Sequence, residues 1–197
     1  MGGVVVSNVA ITGAIAAHFG ISEEEFFRGA ASEYKNLRTS PYNLGDIGAF
    51  MRGEITCENF WKNFTERTGI VVSSDPWYDF FNPDIDKGTA AIITRLRADG
   101  HRVVCGTNTL ESHYRKHQER KDYSLFDYVY ASHLMGIIKP DTAFWRYILE
   151  KEKIEPDEAF FVDDLEENIK AAEKTGLGAH HFSSAKNLAV CREVLCY

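Results

Sequence analysis

The sequence has no Lys/Arg-dense stretch, and its 29 acidic residues outnumber 22 basic ones, giving a net charge of −7 and a pI near 5.5. A surface of that sign repels polyanions, so no nucleic acid partner is expected. No run approaches the roughly 20 apolar residues of a membrane span, so no membrane partner is expected either. The apolar opening, residues 2–17, has no positive residue ahead of it and is broken by Ser7, Asn8, Thr12 and Gly13, unlike a signal peptide. Val6 stands where an N-myristoylation signal needs Ser or Thr. Cys57, Cys105, Cys191 and Cys196 form no C-x-x-C pair, and Cys105 falls in an apolar run that reads as a buried strand, so a reduced, cytoplasmic setting is expected. Internal repeats and low-complexity tracts are also missing.

What is present is enough apolar material for one core. At 197 residues and 44% hydrophobic, the chain predicts one compact α/β unit with a small inserted subdomain, a monomer or weak homodimer by default. Residues 13–81 carry helical periodicity. Ser22 and Glu25 make a capping box, Phe60, Trp61 and Phe64 share one helical stripe, and Gly69 terminates it. Asn82 and Pro83 mark the exit from this all-helical insertion. The expected division is therefore a core of residues 1–12 and 82–197 with a helical cap over 13–81.

After Asp86 the pattern alternates. Helix 86–98 ends at Gly100, followed by a buried strand over 102–106 and a helix through His113 and His117. Strand 127–131, helix 142–153, strand 159–162, helix 165–175, strand 179–182 and a terminal helix follow. This repetition predicts a doubly wound, Rossmann-like parallel sheet, in which ligands bind beyond the carboxyl ends of the strands.

Three short motifs fall at those ends. Thr107, Asn108 and Thr109 follow the Val103-Val104 strand, where a hydroxyl and backbone amides can hold an anionic oxygen; a plain strand-to-helix turn with an N-cap is the alternative. Lys139 precedes Pro140, which fixes the backbone beside it, although a lone exposed lysine is usually a solvated charge. Asp163 and Asp164 end an apolar strand, with Glu166, Glu167 and Asn168 opening the next helix. Two such carboxylates are costly to bury unless a cation or lysine compensates them, and magnesium, which takes oxygen ligands and keeps waters, suits one or two carboxylates plus a phosphate. A favourable interaction with the helix dipole is the bland reading.

Together and in this order, "GHRVVCGTNT", "GIIKPDTAFW" and "FFVDDLEENIKAAEKTGLGAH" resemble the second, third and fourth signature motifs of the haloacid dehalogenase-like superfamily, in its branch of sugar-phosphate and epoxide-hydrolase-associated phosphatases with a small helical cap. The resemblance covers residue 95 to about 183. It implies a magnesium-dependent hydrolase acting on a small phosphorylated metabolite. Thr107 would bind the transferring phosphoryl oxygen and Asn108 would support that pocket. Lys139 would neutralise phosphate and nucleophile, and Asp164 would ligate Mg2+. Asp163 would orient Lys139 or the metal's waters, with Asn168 behind them. Glu167 occupies a position often acidic in the family.

The family's first motif is an apolar strand, aspartate, any residue, aspartate or glycine, glycine, then apolar residues. Met1, Gly2, Gly3, Val4, Val5 and Val6 match everything after the first aspartate. The resemblance therefore puts the nucleophile immediately before Met1, the Gly2 carbonyl on magnesium and Gly3 beside the phosphate. The strand preceding that aspartate would run through the sheet centre, so a start called too late is expected rather than an evolved inactive protein. None of the visible carboxylates can replace the nucleophile by spacing.

Other readings stay open: a 2-haloacid dehalogenase on the same scaffold without metal, or a non-catalytic binding protein. The paired aspartates favour metal and phosphate. A receiver domain shares the acidic pair, threonine and lysine, but places the acidic pair first. His113 and His117 are spaced for a metal, yet Arg115, Lys116 and Arg120 around them predict a solvated face. His180 and His181 alternate across a strand and cannot chelate together. Phe26, Phe27, Phe50, Trp61 and Phe64 are expected in the cap core, with Trp77, Tyr78, Phe80 and Phe81 packing at its exit.

Overall fold

The computed structural model describes residues 1–32 and 41–191, so Cys196 lies outside the described residues. The chain opens with a tight turn in which the Val5 and Val6 amides both donate to the Met1 carbonyl, at 2.8 and 3.1 Å. Strand β1 (Val6–Ser7) follows and pairs antiparallel with β2 (Asp84–Ile85).

Between those strands lie α1 (Thr12–His18), α2 (Glu23–Gly29), a 3-10 turn at Pro41–Asn43, α3 (Gly45–Met51), α4 (Cys57–Thr68) and α5 (Pro76–Asp79). Local chemistry sets their ends. Ser22 Oγ accepts from the Glu25 amide at 3.2 Å while Glu25 Oε2 accepts from the Ser22 amide at 2.7 Å, closing the expected capping box. Thr56 caps α4, and Gly69, at φ 74°, releases it through a left-handed turn. Phe60, Trp61 and Phe64 are buried together, as their spacing predicted, and pack with Phe26, Phe27, Phe50, Trp77 and Phe81 into one core. Its rings meet edge-on where they can, as at Phe60 and Trp61, whose centroids are 4.9 Å apart. Gly29 lets α2 approach α4, because a Cβ there would lie 2.6 Å from the Phe64 ring.

The alternating half begins at Asp86, whose Oδ1 accepts from the Thr89 amide at 2.6 Å and starts α6 (Lys87–Ala98). Then come β3 (Val104–Thr107), α7 (Glu111–Glu119), a 3-10 turn at Asp122–Leu125, β4 (Tyr128–Ala131), α8 (Ser132–Met135) and α9 (Ala143–Glu152). A 3-10 turn at Pro156–Glu158, β5 (Phe160–Asp163), α10 (Glu166–Lys174), β6 (Gly178–His181) and α11 (Ala185–Ala189) complete it. The α/β class and the elements read from the sequence after Asp86 are present in that order, with ends displaced by a residue or two; α8 and β2 were not read from the sequence.

β3 and β4 pair in parallel from Val104 opposite Tyr128 to Thr107 opposite Ala131; β5 and β6 do so from Phe160 opposite Gly178 to Asp163 opposite His181. These are two pairs rather than one continuous ladder. Between them lies an apolar cleft of about 440 Å3, walled by Val104 and Cys105 from β3, Phe160, Phe161 and Val162 around β5, and Ile92, Ile93 and Leu96 of α6. No helix among the described residues is long and apolar enough to cross a membrane. Cys57 and Cys105 are free thiols.

Candidate active site

The strands deliver their chemistry at their carboxyl ends. β3 finishes on Thr107, 3% exposed, and β5 on Asp163, 4% exposed. Lys139, in the loop between α8 and α9 and 6% exposed, reaches between them. Its Nζ donates to Asp163 Oδ2 at 2.6 Å and to the Gly106 carbonyl at 3.3 Å. The other carboxylate oxygen of Asp163 accepts from the Leu165 amide at 2.9 Å and from Asn168 Nδ2 at 2.8 Å. Burial works to raise the Asp163 pKa, but the Lys139 ammonium and these hydrogen bonds outweigh it and hold the carboxyl below its ordinary range. Asp163 is thus a spent anion that fixes a lysine.

Asn108 fixes the same lysine from the other side. Its Oδ1 accepts from the Lys139 amide at 2.8 Å and its Nδ2 donates to the Lys139 carbonyl at 3.0 Å, so both ends of the side-chain amide grip one residue. It supports the pocket through Lys139. Asn43, from the helical half, donates to the same carbonyl at 3.4 Å; its position carries no motif and sequence reasoning missed it.

The opening turn brings Gly2 and Gly3 to this place. The bonds closing that turn end on the Met1 and Val6 carbonyls and leave the Gly2 carbonyl out. Gly3, at φ 76°, lies so close to Asp164 that a Cβ there would meet its Oδ2 at 2.0 Å. Only glycine satisfies both the left-handed backbone and that approach. Burial, followed by the Asp163 charge, raises the Asp164 pKa. A cation beside Asp164 would reverse that effect.

Among the described residues no group of three or more His, Cys, Asp or Glu side chains is placed to hold a metal. The oxygen set that exists, the Asp164 carboxylate with the Gly2 carbonyl nearby, suits magnesium, which keeps several waters and takes a phosphate oxygen rather than a closed protein cage. The residues present therefore fit that ion.

His113 and His117 do not form a solvated face. His117 is buried, with Nδ1 2.8 Å from Asp122 Oδ2, and His113 stacks on Phe81 at 3.8 Å between ring centroids with planes 10° apart. Arg115 and Lys116 lie on another side of α7, over the Tyr78 ring at 4.4 and 3.7 Å, whereas Arg120, just past the helix, shares Asp122 Oδ2 with His117. The i, i+4 spacing turned both imidazoles toward the α5 hinge instead. Burial, with a smaller contribution from His117, pushes the His113 pKa down to about 3, opposed by a hydrogen bond to the Trp77 backbone. His180 and His181 do diverge, and exposed His181 contacts the Asp164 carbonyl at 2.9 Å.

Every residue singled out for the site, Gly2, Gly3, Thr107, Asn108, Lys139, Asp163, Asp164 and Asn168, lines one cavity of about 290 Å3, together with Glu167. Its remaining wall was not anticipated as a whole: Ile11 from the end of the α1 approach, Met51 from α3 and Leu110 before α7, alongside Trp77 and Phe81.

A family model described as haloacid dehalogenase-like hydrolase matches residues 1–176. Among characterised proteins, the sesquiterpene phosphatase astK of Aspergillus oryzae is 31% identical over 110 residues, 55% of each chain. Acyl-CoA dehydrogenase family member 10 of Mus musculus is 31% identical over 144 residues, which are 68% of this chain and 14% of that protein. The chain thus spans about half the length of the first and a small part of the second. Among solved structures, a HAD family enzyme of Bacteroides thetaiotaomicron in complex with magnesium and inorganic phosphate superposes with a TM-score of 0.71 at 25% identity, covering 93% of this chain and 91% of that one.

Proposed function

The chain belongs to the haloacid dehalogenase-like hydrolases, and from that premise we propose that it is a magnesium-dependent phosphomonoester hydrolase acting on a small phosphorylated metabolite. The observation that carries this reading is Lys139, a buried ammonium held between Asp163 and the Gly106 carbonyl, on the wall of the same cavity as Thr107, Gly3 and Asp164. A fixed cation facing a strand-end hydroxyl and a carboxylate that favours a metal is an arrangement for an oxyanion-rich group. The phosphatase among its relatives and the magnesium and phosphate bound by a similar structure support it.

In this reading a carboxylate nucleophile attacks phosphorus, the P–O bond to the alcohol breaks, and the alcohol leaves with a proton from water. Water then attacks the aspartyl-phosphate, restoring the carboxylate and releasing inorganic phosphate. Lys139 neutralises charge on the transferring group, while Thr107 and Gly3 bind its oxygens. Asp163 and Asn108 act through Lys139, and Asn168 acts through Asp163. Asp164 and the Gly2 carbonyl would hold a magnesium ion, which would offset phosphoryl charge as a Lewis acid. The helices α1 to α5 would form the cap, which reaches this cavity through Asn43, Met51 and Trp77.

The test is p-nitrophenyl phosphate hydrolysis with magnesium by the 197-residue chain and by the same chain with an apolar strand and aspartate placed ahead of Met1. Turnover by the second alone, abolished by Asp164→Ala, is the expected result. A folded, extended protein that hydrolyses no phosphate ester would overturn the proposal.

A further inference from the structure

The cavity has two unlike walls. Lys139, Asp164 and the glycine turn line one, whereas Ile11, Met51, Trp77, Phe81, Leu110 and His113 line the other. On that second wall the polar atoms are occupied or shielded. The Tyr42 hydroxyl lies 2.9 Å from Thr12 Oγ1 and His117 Nδ1 is taken by Asp122, while the Trp77 indole nitrogen and His113 Nε2 are buried without a hydrogen-bond partner and are not exposed to the cavity. The His113 ring lies flat on Phe81 and contributes a face of the stack. The cations of α7 point elsewhere, Arg115 and Lys116 onto Tyr78 and Arg120 onto Asp122.

A polyol entering such a space would strip water from several hydroxyls and find few partners for them, at a cost of about tenfold in affinity for each one left unpaired. An alkyl or aromatic group gains instead, because every apolar atom it buries leaves water. The volume, about 290 Å3, sits at the small end of ligand pockets.

Resting on the phosphatase reading, we propose that the alcohol part of the substrate is a small hydrophobic group, so that the natural ligand is the monophosphate of an aliphatic or aromatic alcohol rather than of a sugar. Met51, only partly buried and lining the cavity, is a specificity-determining residue of this wall.

The experiment is calorimetric titration of the full 197-residue chain with magnesium present, using methyl, butyl and hexyl phosphate, glucose 6-phosphate and, separately, inorganic phosphate. Affinity is expected to rise about fourfold for each methylene that enters the pocket, with hexyl phosphate at least about tenfold tighter than glucose 6-phosphate. Met51→Gln should flatten the alkyl series without changing inorganic phosphate binding, and Met51→Leu should preserve it. A flat alkyl series, or glucose 6-phosphate binding as tightly as hexyl phosphate, overturns the inference. Inorganic phosphate reports on the parent reading alone: phosphate bound with a flat series removes only the apolar ligand. A rising alkyl series without phosphate binding would leave the apolar pocket standing and remove the phosphate site.

Discussion

The two walls of the cavity are built by different rules. On the strand-end wall, Lys139 and Asp163 are held by hydrogen bonds: Lys139 by Asp163, Gly106 and Asn108, and Asp163 by Leu165 and Asn168. On the helical wall, groups are held by packing, as in the Phe81 and His113 stack and the Trp77 contacts with Phe26 and Phe60. Directional bonds fix a charge to a fraction of an ångström, which charge stabilisation requires. Packing fixes a shape, which discrimination between leaving groups requires. In the proposed function, charge stabilisation and selectivity would fall to opposite walls of the cavity, although the second wall draws Leu110 and His113 from the α/β half.

The sharpest way to break this division is Asp164→Ala. Removing the carboxylate proposed for the metal should lower kcat of the aspartate-extended protein by about a thousandfold or more, whereas Met51→Gln should leave kcat on methyl phosphate, which has almost nothing to place on the apolar wall, within a few-fold. Steady-state kinetics over a magnesium titration measures both. Comparable losses in the two variants would erase the distinction between the walls.

Next in size is a stability effect confined to the strand-end wall. Lys139→Met leaves the Asp163 carboxylate buried against Asn168 and an amide with no cation, which should cost about 3–5 kcal/mol in urea unfolding. Adding Asp163→Leu to that variant should recover a substantial part, because the uncompensated charge is gone. Failure to recover would mean that the hydrogen bonds to Leu165 and Asn168, rather than charge balance, dominate.

How much of this was readable follows the same line. Thr107, Lys139 and the aspartate pair were visible because strand-end chemistry is written in contiguous residues, and the resemblance that joined them came from three short motifs. The helical core was visible through the spacing of Phe60, Trp61 and Phe64 and the Ser22 cap. Asn43 and Met51 were not, since each reaches the cavity through the packing of helices far apart in sequence. His113 and His117 were misread for a related reason. Their neighbours are cationic, and only the tertiary direction of α7 shows that the two rings face Phe81 while Arg115 and Lys116 face Tyr78. Alternation of strands and helices gave the α/β class, but no local pattern reports that the parallel strands stand as two pairs across an apolar cleft.

The helical wall has its own pH signature. His113 is held neutral by burial, with a folded pKa near 3 against an ordinary value of 6.5. The unfolded chain therefore binds the proton first as pH falls. The contribution is fully present above pH 6.5, shrinks as pH drops through the window from 6.5 toward 3, and is lost below it, by up to about 1.4 kcal/mol per pH unit. His117 and His133, whose pKa values burial also lowers, add to the slope in the same direction. Urea midpoints measured from pH 7 to 4.5 should fall, and His113→Phe, which keeps the stack on Phe81, should reduce the fall. An unchanged slope would place the titrating groups elsewhere.

The smallest effect tests whether the helical half is rigid enough to define a shape. Ser22→Ala opens the capping box at α2, leaving the Glu25 amide without its side-chain acceptor and removing the Glu25 carboxylate's bond to the Ser22 hydroxyl. The expected cost is about 1 kcal/mol, measured by thermal or urea unfolding. Because α2 carries Phe26 and Phe27 into the core that backs Trp77 and Phe81, fraying there should reach the pocket as lost alkyl-phosphate affinity before it reaches inorganic phosphate. If Ser22→Ala weakens both ligands equally, the two walls are mechanically one, and the separation between fixing charge and fixing shape holds only for the contacts and not for the motions of the fold.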